Sequence, residues 1–359
     1  MNSNMPGAGF KDYLQLTTRI SGVSNPVDRL PAAKDALSAN FGWIMTLHPQ
    51  AQAVLDLLNA APTPLKDLPP AEARAAYDRF ILPRNFDPAP LDKVEDQMIP
   101  GPAGELRVRI YTPKDDDRPR PIFLFVHGGG FVIGSIESRD PQCRLISRDA
   151  DCIVVSVDYR LAPEAPFPAA PDDCWAALQW CANNAASLGG DPTRIAVGGE
   201  SAGGNLAAGL ALRARDSGGP SLIAQILVYP LTDMYFEQDL PSYQYLDEDY
   251  FLTREQMDWY GECYAPGLTR TDNVLLSPCK EDNLSGLPPA QIITAEFDPL
   301  RDDGKHYGER MTAAGVPVEY TCMSGMIHGY WHYGKLIDAA GQALQLNIDA
   351  LKRAFAQKT

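Results

Sequence analysis

The feature that most constrains this chain is an alternation. Short apolar runs rich in β-branched residues lie at Ile122–Val126, Ile153–Val157, Arg194–Val197, Ala224–Val228, Ala290–Ala295 and Val318–Cys322. Between and after them come helix-like stretches at Ala169–Ser187, Ala202–Arg215, Leu300–Ala314 and Tyr333–Phe355. A strand that is apolar throughout is stable only where both of its faces are covered, and helices between parallel strands supply that cover. The alternation therefore predicts an α/β fold with a mostly parallel sheet flanked by helices. Ahead of it, "VEDQMIP" and "ELRVRIYTP", split by "GPAG", read as an antiparallel hairpin leading into the sheet.

Two segments stand outside this pattern. Residues 1–90 carry helical periodicity, as in "PQAQAVLDLLNAAP", where Ala51, Val54, Leu55 and Leu58 fall at i, i+3, i+4 and i+7 behind Pro49. The second, at about 233–273, is too long for a plain strand-to-strand connection. It concentrates Tyr235, Phe236, Tyr243, Tyr245, Tyr250, Phe251, Trp259, Tyr260 and Tyr264. Such a segment uses its aromatics for a core of its own, lends some of them to an apolar pocket, or does both.

Composition excludes several functions. A formal charge of -15 is the wrong sign for binding nucleic acid, whose phosphates require a basic surface. The longest apolar runs, such as "IFLFV" and "IVVSV", are strand-sized and fall far short of the roughly 20 residues of a membrane-spanning helix. The opening "MNSNMPGAGFKDYLQ" lacks the charged and apolar regions of a signal peptide. Seven cysteines without paired spacing read as reduced thiols in a cytoplasm. With no CxxC or HExxH, no metal or other cofactor is expected.

Chemistry enters at "RIAVGGESAGGNLAAGLAL", Arg194 to Leu212, a strand that turns into a helix at Gly199-Glu200-Ser201-Ala202-Gly203. Ser201 is either an ordinary helix N-cap or a nucleophile raised on a tight turn. A serine hydroxyl needs a base, and that base needs an orienting acid. His328, in a loop just beyond the last apolar run, sits where the sites of open α/β sheets form, with His332 as the rival. Asp298 comes directly off a strand and precedes Pro299, whereas Asp302 and Asp303 fall in a first helical turn, where acids are expected for dipole reasons alone. The chain order Ser201, Asp298, His328 is that of the hydrolase elbow.

A receiver for an oxyanion is also present. "FLFVHGGGFVIGS" sets His127-Gly128-Gly129-Gly130 after a strand, and bare glycine amides can converge on one point. The amides of Gly129, Gly130 and Ala202 would form a three-donor hole, with His127 bracing the loop. The same stretch supports a rival from another class, a dinucleotide-binding unit built on Gly128, Gly130 and Gly134 with Asp158 as the ribose acid. Against it, Pro141 and the polar "SIESRDPQ" read as a long loop before any helix begins.

From about Lys93 to the C-terminus the motifs "HGGGFVIGS", "VDYRLAPEAPFPAAPDD", "GESAGGN", "YPLTD", "DPLRDDG" and "HGY" occur in order. In these the chain resembles the hormone-sensitive lipase-like esterases, bacterial family IV, of the α/β-hydrolase fold. The resemblance implies a serine carboxylesterase for short- to medium-chain esters, with Ser201, Asp298 and His328 as triad and Gly129, Gly130 and Ala202 as oxyanion hole. It also implies an N-terminal helical cap segment (1–90), a catalytic domain (91–359) and a cap insertion at about 233–273. Tyr159 and Arg160 become bracing groups, and a homodimer is compatible with it. One letter departs from the family, which usually has Asp or Thr where this chain has Glu200, a carboxylate expected to be held by hydrogen bonds from surrounding groups. A catalytically silent small-molecule receptor on the same fold is the alternative outside the enzymes.

Overall fold

The apolar runs become the strands of one eight-stranded sheet. They are β1 (Lys93–Gly101), β2 (Gly104–Thr112), β3 (Arg120–Val126), β4 (Ile153–Val157), β5 (Gly190–Glu200), β6 (Leu222–Val228), β7 (Ala290–Phe297) and β8 (Val318–Ile327). The computed structural model describes residues 46–60, 63–236, 239–245, 250–268 and 273–357, nearly all of them in a unit spanning Leu47–Thr359. The strand order is β1-β2-β4-β3-β5-β6-β7-β8. β1, β2 and β4 pair antiparallel, and every pairing from β4 through β8 is parallel. The expected hairpin is the β1–β2 pair, joined at Gly101 and Gly104. β3 and β4 are buried at every position, whereas β1, at the edge, buries only Ile99. Each buried Val, Ile, Leu or Phe in the central strands contributes roughly 1.5–3 kcal/mol.

Among the described residues the helices are α1 (Pro49–Asn59), α2 (Pro70–Ile81), α3 (Ile136–Ala150), α4 (Ala169–Asn184), α5 (Ala202–Asp216), α6 (Pro241–Tyr245), α7 (Arg254–Tyr264), α8 (Arg301–Ala313) and α9 (Asp338–Ala356). The connection from β3 to β4 runs one way across the sheet, while those from β4 to β5, β5 to β6 and β7 to β8 run the other way. Right-handed crossovers then put α3 on one face and α4, α5 and α8 on the opposite face. The direction reverses between neighbouring β3 and β5. A crevice opens there at the carboxyl ends of the strands, where ligands of open α/β sheets bind.

Two local expectations need correction. "SIESRDPQ" is not a long loop: α3 starts at Ile136, directly after Ser135. A reciprocal cap, Ser138 N–H to Ser135 Oγ at 3.1 Å and Ser135 N–H to Ser138 Oγ at 3.0 Å, fixes its first turn. Pro141, inside the helix, removes the bond to the Glu137 carbonyl and crowds that carbonyl, a cost the helix carries without ending there. The last helix begins at Asp338 and not at Tyr333, because Tyr330–His332 form a 3-10 turn with Trp331 and Tyr333 buried. In α1, Ala51, Val54 and Leu55 face inward as their spacing requires. Its cap His48 donates its N–H to the carbonyl of Gly325 at 3.0 Å, which seats the helix against β8.

Candidate active site

β5 ends at Glu200 and α5 begins at Ala202, so Ser201 alone makes the turn, at φ +56° and ψ -119°. A non-glycine residue there carries strain of about 1–3 kcal/mol. The glycines on either side explain how the turn can be so tight. A Cβ at Gly199 would overlap the carbonyl oxygens of Val126 and Gly203, and one at Gly203 would overlap that of Val126. Strand, helix and the end of β3 thus touch backbone to backbone. Ser201 holds the N-cap position of α5, yet its side chain makes no capping bond. Its Oγ lies 2.9 Å from His328 Nε2.

His328 follows the last residue of β8, and Asp298 follows the last residue of β7. His328 Nδ1 and Asp298 Oδ2 are 2.7 Å apart, and Leu300 N–H donates to Asp298 Oδ1 at 2.8 Å. Asp298 is fully buried and His328 nearly so. A carboxylate can only accept, so Nδ1 must carry the proton, leaving Nε2 to accept the Ser201 hydroxyl. The other acids are engaged elsewhere. Asp302 pairs with Arg301 at 2.7 Å, and Asp303 accepts from the amide and hydroxyl of Thr232. The rival His332 turns its Nε2 to Tyr229 Oη at 3.3 Å and to Glu200 Oε2 at 3.4 Å. Burial, and then the Arg139 charge, push His332 down to about 4, so it is neutral at pH 7.

The glycine loop comes off β3 beside the elbow. Gly129 and Gly130 have φ of +120° and +59°, and among the described residues their amides and that of Ala202 donate to no backbone partner. His127 is structural, its ring stacked on Tyr159 at 4.3 Å while the Tyr159 hydroxyl donates to the His127 carbonyl at 2.9 Å. Arg160 holds Asp173 at 2.8 Å. The dinucleotide reading loses its acid, since Asp158 accepts from Arg107 Nε at 2.9 Å; the objection that no helix follows the glycines was mistaken.

Ser201, His328, Gly129, Gly130 and Ala202 share one cleft of about 840 Å³, counted out to its mouth. Its apolar wall comes largely from the 233–273 segment, with Met234, Phe236, Phe251, Leu252, Met257 and Tyr260. Leu65 and Tyr77 reach it from the N-terminal side. Both readings of the aromatic segment hold. Phe236, Phe251 and Tyr260 face the cleft, while Tyr250 packs on Phe297 at 5.1 Å and Tyr264 stacks on Phe131 at 3.8 Å. The Tyr245 side chain and residues 1–45 lie outside the described parts.

Hydrogen bonds to Glu200 were expected from the sequence, but their donors were not named, and Arg139 and Tyr77 were missed. Glu200 is buried, and its Oε1 accepts the Gly128 amide at 2.5 Å and Arg139 Nε at 2.7 Å. The other arm of Arg139 donates to Tyr77 Oη at 2.8 Å. Burial opposes ionisation of Glu200, but Arg139, helped by His332, outweighs it and holds the carboxyl well below the usual range. Removing one member of such a buried ion pair typically costs about 3–5 kcal/mol. The signal in the sequence was a carboxylate set in an apolar elbow, which demands a buried cation.

The profile of the alpha/beta hydrolase fold matches residues 123–332, more than half of the chain. Carboxylesterase NlhH of Mycobacterium tuberculosis is 48% identical over 255 residues, covering 70% of this chain and 79% of that protein. Ethyl acetate hydrolase of Pseudomonas putida is 33% identical over 323 residues, covering 86% and 99%. Among solved structures, LAE6, an alpha/beta hydrolase enzyme from the metagenome of Lake Arreo, is 39% identical with a TM-score of 0.81, covering 87% of this chain and 98% of that one. The Pyrobaculum calidifontis esterase is 36% identical with a TM-score of 0.78, covering 86% and 100%. With this fold and these relatives, the chain belongs to the α/β-hydrolase family, among its hormone-sensitive lipase-like carboxylesterases.

Proposed function

We propose that this carboxylic ester hydrolase works through Ser201, His328 and Asp298 and an acyl-enzyme intermediate. The observation that carries the reading is the hydrogen-bonded line from Ser201 Oγ through His328 to Asp298. Ser201 Oγ attacks the ester carbonyl carbon as His328 Nε2 takes its proton. The carbonyl oxygen becomes an oxyanion held by the amides of Gly129, Gly130 and Ala202. Collapse breaks the bond to the alcohol oxygen, which takes the proton from His328 and leaves. Water, deprotonated by the same imidazole, then attacks the acyl carbon and releases the carboxylic acid and Ser201. Asp298 fixes the imidazole tautomer and stabilises the imidazolium. A silent receptor would have no use for this complete set.

In the same reading, the 233–273 segment with the parts of residues 1–90 that carry Leu65 and Tyr77 forms a cap on the catalytic domain, 91–359. The apolar wall supports short- to medium-chain acyl groups. Seven cysteines support a cytoplasmic location, and the homodimer rests on the family resemblance.

Two measurements test these assignments. Across p-nitrophenyl esters from acetate to palmitate, kcat/KM is expected to peak at butyrate to octanoate and to fall at least about tenfold by palmitate, as a pocket of bounded size requires. A rise continuing to palmitate would overturn the chain-length assignment. The base is tested by pairing two variants: His328→Ala should cost about 10³-fold or more in kcat, and His332→Ala less than about tenfold. Equal losses would reopen the choice between the two histidines.

A further inference from the structure

Glu200 links the nucleophile's strand to the glycine loop beside it, at the end of β3. Its Oε1 takes the Gly128 amide at 2.5 Å, although the two residues are 72 positions apart. Gly128 opens the run that continues through Gly129 and Gly130, both at positive φ. Glycines there have many conformations of similar energy, so neighbouring groups must select the one that aims the amides. The structure anchors three successive peptide units. The Gly128 amide is held by Glu200, the Gly128 carbonyl lies 2.9 Å from His127 Nδ1, and the Gly129 carbonyl accepts from Val132 and Ile133 at 3.1 and 2.9 Å. Of these, the anchor on Glu200 is the shortest and the one made by a carboxylate, the stronger kind of acceptor.

A bare carboxylate beside the nucleophile would oppose the negative charge that develops on the substrate oxygen. Arg139, wholly buried on α3 with its Nε at 2.7 Å, neutralises it. What reaches the glycine loop is then a short hydrogen bond with little net field. We propose that Glu200 is a positioning residue for the oxyanion hole, holding Gly128 so that the amides of Gly129 and Gly130 converge on the substrate oxygen. Arg139 makes its charge tolerable and, through Tyr77 Oη at 2.8 Å, ties the arrangement to α2 at the cleft wall. The proposal rests on the reading of Ser201, Gly129, Gly130 and Ala202 given under the proposed function.

The test compares Glu200→Gln/Arg139→Met with Glu200→Leu/Arg139→Met. Neither leaves an unpaired buried charge, and they differ in whether an acceptor remains for the Gly128 amide. Active sites are counted by mass spectrometry of the Ser201 adduct of a p-nitrophenyl phosphonate, and kcat and KM for p-nitrophenyl butyrate are referred to that count. The leucine variant is expected to have kcat at least about tenfold below the glutamine variant, with KM within about threefold, since misplaced groups cost rate and not ground-state binding. Values of kcat per site within tenfold, with losses confined to melting temperature or titratable fraction, would make Glu200 purely structural and overturn the proposal. If either double variant does not fold, Glu200→Asp replaces the pair, because it keeps the charge but retracts the acceptor. A fall in kcat per site of more than threefold at steady KM supports positioning, and a smaller one overturns it. Absence of a Ser201 adduct in the wild type would instead sink the underlying reading of the site.

Discussion

Changing Ser201 to alanine is expected to lower kcat for p-nitrophenyl butyrate by at least about 10⁴-fold while leaving the protein folded. The loss is large because Ser201 Oγ carries the proton that His328 Nε2, 2.9 Å away, is placed to take. Activity should not fall to the rate in water, because the cleft and the three amides still bind and polarise the ester; such remnants are worth about 10³–10⁴-fold over water. The fold should survive for a local reason. Alanine keeps the Cβ that already sits at φ +56°, and the variant gives up one hydrogen bond, worth about 1 kcal/mol. Melting temperature is therefore expected to change by no more than a few degrees. The measurement is burst and steady-state release of p-nitrophenol beside a thermal melt. Equal rates in wild type and variant would remove Ser201 from the chemistry.

What could be read in advance follows from where the constraints lie. β3 and β4 are buried at every position, so apart from Arg120 and Ser156 their letters are apolar, and the run Ile122–Val126 and all of Ile153–Val157 stand out as strands. Ser201, Asp298 and His328 were legible because each stands at the end of a strand beside residues with a backbone purpose, glycine or proline. β8 was read short, since Ser324 and Gly325 interrupt the apolar pattern before Met326 and Ile327. α3 was hidden by Pro141 and by charged residues whose helical face cannot be told from a loop until Ser135 is seen to cap it. Among the described residues of 233–273, the aromatics are divided between two separate helices and the residues before them, so no single period separates Phe236 and Tyr260, on the cleft, from Tyr243, whose ring meets Phe236 edge-on at 5.1 Å. Glu200 in its apolar elbow called for a buried cation, but which one was hidden for another reason: Arg139 is 61 residues away, on an element that meets the elbow only in the folded sheet.

Changing Asp298 to asparagine is expected to cost about 10⁴-fold in kcat with little change in KM, and the neighbouring amide explains why the isostere should fail. Leu300 N–H donates to Oδ1 at 2.8 Å, so the asparagine carbonyl will occupy that position to keep its donor. Its NH₂ group must then stand where Oδ2 now faces His328 Nδ1 at 2.7 Å. Two donors cannot share that line, and the imidazole responds by moving its proton to Nε2. In that tautomer Nε2 offers a hydrogen to Ser201 Oγ and can no longer accept one, so the geometry persists while the base is lost. Asp302→Asn makes the contrast, because Asp302 pairs with Arg301 and does not touch the imidazole; its kcat should stay within about threefold of wild type. The pair is measured as kcat and KM for p-nitrophenyl butyrate, with the histidine ring protons of Asp298→Asn followed by NMR. An Asp298→Asn variant retaining more than about a tenth of wild-type kcat would mean that the acid orienting His328 has been misassigned.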